Sequence, residues 1–175
     1  MKITLVILLP VLLFSCVKKE TPAAADAGYD YYPLKAGRFS VFESDSIVFT
    51  EIPKDTIHYR YQIREVLKES FTDNTGGVAW RLERFIRHKN NNQPYDSLPW
   101  KIKDVWVVRA DNRSLKVVEE NVTYTKLSFP VKENKSWDGN ALNSLGESIY
   151  YYDYTDRAET VGGKQYSKTL RVIQK

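Results

Sequence analysis

Between Thr56 and Arg64 an apolar side chain falls on every second residue: Ile57, Tyr59, Tyr61 and Ile63 alternate with His58, Arg60, Gln62 and Arg64. Successive side chains of a strand point to opposite faces, so this period of two fits a sheet with one wet face and excludes a helix. The phase slips at Glu65 and Val66, which predicts a bulge or bend there. Residues 71–77 (FTDNTGG) carry turn chemistry, and residues 78–87 read as the returning strand. Further strands are predicted over residues 100–110, 115–120, 122–129, 147–155 and 165–174, while 131–145 reads as irregular. Tyr, Val, Ile, Trp, Phe and Thr dominate these segments, as suits pleated, half-buried surfaces. No four-turn amphipathic helix and no internal repeat is present. The expected fold is all-β, a mostly antiparallel meander of about seven to eight strands forming a curved sheet, open barrel or sandwich.

The amino terminus is of another kind. Met1 and Lys2 give a positive start, residues 3–14 are apolar except for Thr4, and Ser15 is small, in the order of a secretory signal peptide. The run is shorter than the roughly 18–20 residues that span a bilayer, and Pro10 interrupts it. Leu13-Phe14-Ser15-Cys16 resembles the lipobox of bacterial lipoproteins. That resemblance implies that the chain is cut before Cys16, that the Cys16 thiol takes a diacylglyceryl group and that its new amine is acylated. Membrane partnership then comes from acyl chains, each buried methylene adding about 0.8 kcal/mol. Cys16 is the only cysteine, so disulfides and cysteine-based metal sites are not expected. The expected organisation is a signal peptide over 1–15, a lipidated flexible tether over 16–28 whose Ala, Pro and Gly cannot build a core, and a single β domain over 29–175. The formal net charge of +4 is spread among interspersed signs, so nucleic acid is not an expected partner.

Residues 168–175 stop inside a good strand pattern. Either the coding frame continues past Lys175 with at least one more strand, which is the expectation, or this edge pairs with the first strand.

No catalytic motif stands out. His58 and His88 lie thirty residues apart with no His, Cys or Asp at metal-ligand spacing, and no nucleophile elbow or phosphate-binding glycine loop is present. Glu119 and Glu120 are strand neighbours that point to opposite faces, so they cannot converge as an acid/base pair. Asp153 and Asp156 read as solvated charges. Asp73-Asn74-Thr75-Gly76 lacks the later ligands of a calcium loop. No catalytic residue, metal or cofactor is therefore expected. The aromatic run is the one conspicuous surface candidate: Tyr150, Tyr152 and Tyr154 share a strand face, and with Trp100 and Trp106 they could stack on a glycan or line a lipid cavity. The other reading is a row packed in the core. Triplets of the N-x-S/T type at Asn112, Asn121 and Asn134 carry no weight in a bacterial chain.

Residues 31–42 (YYPLKAGRFSVF) and 127–140 (LSFPVKENKSWDGN) resemble two landmarks of a group of small, uncharacterised Bacteroidetes outer-membrane lipoproteins, whose members continue beyond the point where this chain stops. That resemblance carries no activity. In such bacteria, surface-exposed lipoproteins tend to have an acidic cluster after the lipidated cysteine. Here Val17-Lys18-Lys19 is basic, which implies a periplasm-facing outer-membrane protein. Asp45-Ser46-Ile47, Asp55-Thr56-Ile57 and Asp96-Ser97-Leu98 resemble the O-glycosylation acceptor of these organisms, so Ser97, Thr56 and Ser46 are candidate acceptors. The expected function is a non-enzymatic envelope lipoprotein whose β domain binds a partner or scaffolds an assembly. The alternative is a glycan- or lipid-binding module built on the aromatic row.

Overall fold

The computed structural model describes residues 26–89 and 93–175. The expected signal peptide, the lipobox with Cys16, and residues 16–25 of the tether lie outside the described residues. The fold is all-β, with 63% of the described residues in strands and almost no helix among them. Six strands form one antiparallel sheet in sequence order: β1 (Phe39–Glu51), β2 (Lys54–Thr72), β3 (Val78–His88), β4 (Lys101–Ala110), β5 (Ser114–Glu119) and β6 (Val122–Ser128). This sheet curls into a half-barrel. A smaller antiparallel sheet follows, made of β7 (Ser136–Asp138), β8 (Ile149–Val161) and β9 (Lys164–Gln174).

Short turns set the meander. Glu120 and Asn121 take φ of 48° and 70° between β5 and β6, the twist that a two-residue hairpin turn requires. Between β2 and β3 the Asp73 carboxylate organises its own turn, accepting from the Thr75 hydroxyl at 2.6 Å, the Thr75 N–H at 2.8 Å and the Gly77 N–H at 3.1 Å. Arg109 of β4 donates to the second oxygen at 2.6 Å. The Thr75 bonds foremost hold this carboxyl down, to a pKa of about 2.

Periodicity places the core. Leu67, Leu82, Val108, Leu115, Val117 and Leu127 project from the concave face, and Phe129 and Tyr152 close over them. The slip expected at Glu65 and Val66 is displaced: β2 runs on and its register shifts between Leu67 and Ser70. Val66 and Leu67 are both buried though neighbours on opposite faces, so the alternation is lost where both faces become covered. Residues 131–145, expected to be irregular, contain the short strand β7. Its Trp137 indole donates to Thr125 O at 2.8 Å, tying the small sheet to β6.

The segment before β1 is also held. Val131 N–H bonds Ala27 O at 2.9 Å, the Tyr29 ring meets Phe129 edge-on at 4.7 Å, and Lys168 of β9 reaches Asp26 and Asp30 at 3.2 Å each. The last residues expected to be tether, Asp26 to Gly28, are thus part of the folded domain, and Tyr32 and Leu34 pack on the core.

Tyr152 links the two sheets directly. Its fully buried hydroxyl donates to Ser128 O and accepts from Ser128 N–H, both at 2.9 Å. Burial pushes the phenol up to about 12, so it stays protonated and able to do both. Tyr152→Phe keeps the ring but leaves the Ser128 N–H and C=O unsatisfied, which is expected to lower unfolding stability by about 1–3 kcal/mol. Urea denaturation checks this, with Tyr166→Phe on the surface staying near wild type.

Candidate functional site: the open edge of the half-barrel

The sheet order leaves β1 with a single strand neighbour among the described residues. Leu67 N–H bonds Arg38 O, and Lys89 N–H bonds Arg60 O from the far side of β2. Backbone groups of an antiparallel strand alternate in direction. That parity, carried along the unbroken β1–β2 register, turns the N–H and C=O of Phe39, Val41, Glu43, Asp45, Ile47 and Phe49 outward along a free edge. Natural edges are blunted by proline, bulges or short length. β1 has thirteen residues, no proline and no register shift, and charge only at Glu43, Asp45 and Glu51.

Beside the start of this edge lies a groove of about 660 Å³, walled on one side by Gly37 to Phe42 and on the other by Val161, Gly162, Lys164 and Tyr166 of the β8–β9 hairpin. Phe39 is 57% and Phe42 52% exposed, and Val41, Val161 and Tyr166 are exposed as well. Exposed apolar side chains gathered around one groove mark interaction surfaces. Lys164 Nζ stands 5.3 Å from the Tyr166 ring. Asp45, farther along β1, is engaged by His58 Nδ1 at 3.0 Å and Arg60 Nε at 3.1 Å, whereas Glu43 makes no ion pair among the described residues.

Past Tyr61, where β2 begins to pair with β3, β1 and β2 continue alone as a two-stranded arm. Seven residues on each strand, 45–51 and 54–60, at about 3.3 Å each carry its tip about 23 Å beyond the sheet. The arm ends in apolar residues, with Phe49 78% and Ile52 94% exposed and Val48 opposite Ile57.

The floor beneath the edge is fixed by Arg84. Its guanidinium, only 14% exposed, donates to Glu65 at 2.9 Å and Asp104 at 3.0 Å and lies 3.6 Å from the Trp106 ring centre. A hollow of about 440 Å³ opens above it, lined by Phe42, Tyr61, Ile63, Glu65 and Arg84 among others. This polar ladder separates the apolar core from the exposed concave face of β1 and β2.

The residues singled out from the sequence are dispersed by the fold. Tyr150 and Tyr152 are core residues: Tyr150 lies against Gly139, where a β carbon would sit 2.5 Å from its Cζ, and both rings meet Trp137, at 6.0 and 4.7 Å. Tyr154 leaves their row because the β8–β9 register shifts between Tyr152 and Tyr154, and its ring lies under Arg157 at 4.6 Å. The three tyrosines therefore present no common surface. Trp106 packs on the same core, and its indole N–H is buried with no hydrogen-bond partner. Trp100 stands apart, covered at 4.3 Å by the Arg87 guanidinium. Ser46, Thr56 and Ser97 are all exposed; Ser97 donates to Pro94 O at 2.8 Å within a 3-10 turn, and Ser46 lies in the arm. His58 and His88 are surface residues, and no group of three or more His, Cys, Asp or Glu side chains able to hold a metal occurs among the described residues. What the sequence reading missed is the β1 edge with Phe39, Val41 and Phe42. The Phe39-x-Val41-Phe42 cluster after Gly37 was visible, but its edge position depends on long-range pairing.

Comparison with protein-family models, with curated proteins and with solved structures gave no match.

Arg84→Ala is expected to destabilise by more than the roughly 1 kcal/mol of an exposed pair, because it strands half-buried Glu65 and leaves Asp104 with Lys103 alone. Combining Arg84→Met with Glu65→Gln and Asp104→Asn is expected to recover most of that loss. Urea midpoints of the single and triple variants check the account.

Proposed function

We propose that this chain is a non-enzymatic, membrane-anchored envelope lipoprotein of the bacterial outer membrane, facing the periplasm, whose β domain binds a partner through its open edge. The observation that carries the reading is β1: a long strand with an outward row of backbone groups and exposed Phe39, Val41 and Phe42 beside a groove. Exposing such a strand invites association, and an exported domain benefits from it only when association is its work. The anchor rests on the lipobox at residues 13–16 and its Cys16. Acyl chains there would hold the domain near the membrane. A second reading, binding of a lipid or glycan, is favoured by the aromatic and aliphatic lining of the groove. It draws on Phe39 and Tyr166 rather than on the tyrosine row of β8.

A photo-crosslinking residue at Val41, expressed in the native host, is expected to give discrete adducts of protein mass that are missing when the probe sits at Asn121 on the β5–β6 turn. Cys16→Ser is expected to abolish acyl-chain labelling and to deplete those adducts. Adducts of lipid or glycan mass would replace this reading by the second one. Equal labelling of both positions, or acylation that survives Cys16→Ser, would contradict it.

A further inference from the structure

Resting on the partner-binding reading, we infer that the occupant of this edge is an extended segment of another protein, added to β1 as an antiparallel strand that runs in the groove between β1 and the β8–β9 hairpin. The backbone supplies affinity. Outward N–H and C=O groups at Phe39, Val41 and Glu43 match the ladder of an incoming strand, as strand addition requires. Every strand pair in both sheets is antiparallel, so the added strand continues the same geometry. The groove has room for the segment's side chains against Phe39, Phe42, Val161 and Tyr166.

Charge selects direction and sequence. Lys164 lies on the groove wall opposite the start of β1, and Glu43 lies just beyond the groove along the edge. An antiparallel strand passes Glu43 first and Lys164 afterwards. The segment that fits therefore alternates apolar residues, carries a basic side chain early to meet Glu43, and carries an acidic one later to meet Lys164.

A second copy of this chain fits less well. Twofold antiparallel pairing of β1 with itself, keeping the outward residues opposed, sets Asp45 against Asp45 when centred there and Glu43 against Glu43 when centred on that residue. Centred on Ser44 it sets Glu43 against Asp45. Like charges directly opposed destabilise a strand pair. Registers centred on Val41 or Phe42 oppose no like charges but press the second copy against the β8–β9 hairpin, and one centred on Ser46 sets Asp45 and Glu43 against apolar Ile47 and Phe49. The β8–β9 hairpin also stands in the way of a flat sheet-to-sheet contact at Phe39 to Phe42.

The test uses the full-length protein and a synthetic peptide alternating valine with threonine, with one lysine near its amino end and one glutamate near its carboxyl end. Binding is read by amide exchange. The peptide is expected to protect the amides of Phe39, Val41 and Glu43, and the probe with its two charges exchanged is expected to bind more weakly. Val41→Pro removes one outward N–H while sparing the β1–β2 ladder, and is expected to weaken binding about tenfold. Glu43→Lys, which leaves the backbone untouched, is expected to abolish the preference between the two probes, and Glu43→Lys combined with Lys164→Glu to reverse it. No protection at about millimolar peptide, or protection unchanged in all three variants, would overturn the inference. So would groove protection by dodecanoate where the peptide gives none, or a concentration-dependent dimer in its place. Protein crosslinks at Val41 in cells alongside a failed peptide would leave the partner-binding reading standing and remove only its strand form.

Discussion

The hydroxyl of Tyr152 accepts from Ser128 N–H and donates to Ser128 O, joining two sheets that no strand ladder connects. Around it the Trp137 indole bonds Thr125 O, Thr125 N–H bonds Gly139 O, and Tyr150 fills the space that Gly139 leaves open. These contacts seat the small sheet over the end of the half-barrel formed by β5 and β6. Tyr152, Leu67, Val108 and Leu115 are the largest fully buried side chains, so the core lies directly beneath that seam.

An asymmetry follows. The half-barrel is covered where β7 and β8 meet β6, and the segment from Asp26 to Leu34 fills in beside β9 through Lys168, Tyr32 and Leu34. Nothing described pairs with the outer side of β1. Arg84, held by Glu65 and Asp104 on the Trp106 face, marks the boundary between the packed interior and the open side. Core packing thus stabilises one margin of the sheet and leaves the other open. Loops and edges carried by a rigid scaffold are where binding is commonly placed.

Fold class was legible because most strands bury one face, and burial of one face writes a period of two into the sequence. Ile57 to Ile63 shows this, although the strand there reaches Thr72 and half of the pattern lies in the exposed arm. The β1 side of the arm, residues 45–51, shows no clean alternation, although Ile57 and Tyr59 alternate on its β2 side. β7 was illegible for another reason: three residues cannot show a period, and only the Trp137 bond to Thr125 makes the segment a strand. The tyrosine row was visible, but not its break, since the shift after Tyr152 arises from pairing with β9. The position of β1 at an edge is set by which strands find each other across the chain. Its local residues, Phe39 to Phe42, look like any half-buried strand.

The account turns on β1 being a true edge in the isolated protein. Residue-resolved amide exchange on the full-length chain measures this where β2 is itself backed by β3. The account predicts alternation along β1, with Ser40, Phe42 and Ser44 protected by β2 and Phe39, Val41 and Glu43 exchanging fast. Uniform protection of all six amides in the isolated protein would show that the outer side of β1 is already covered, and would contradict the account.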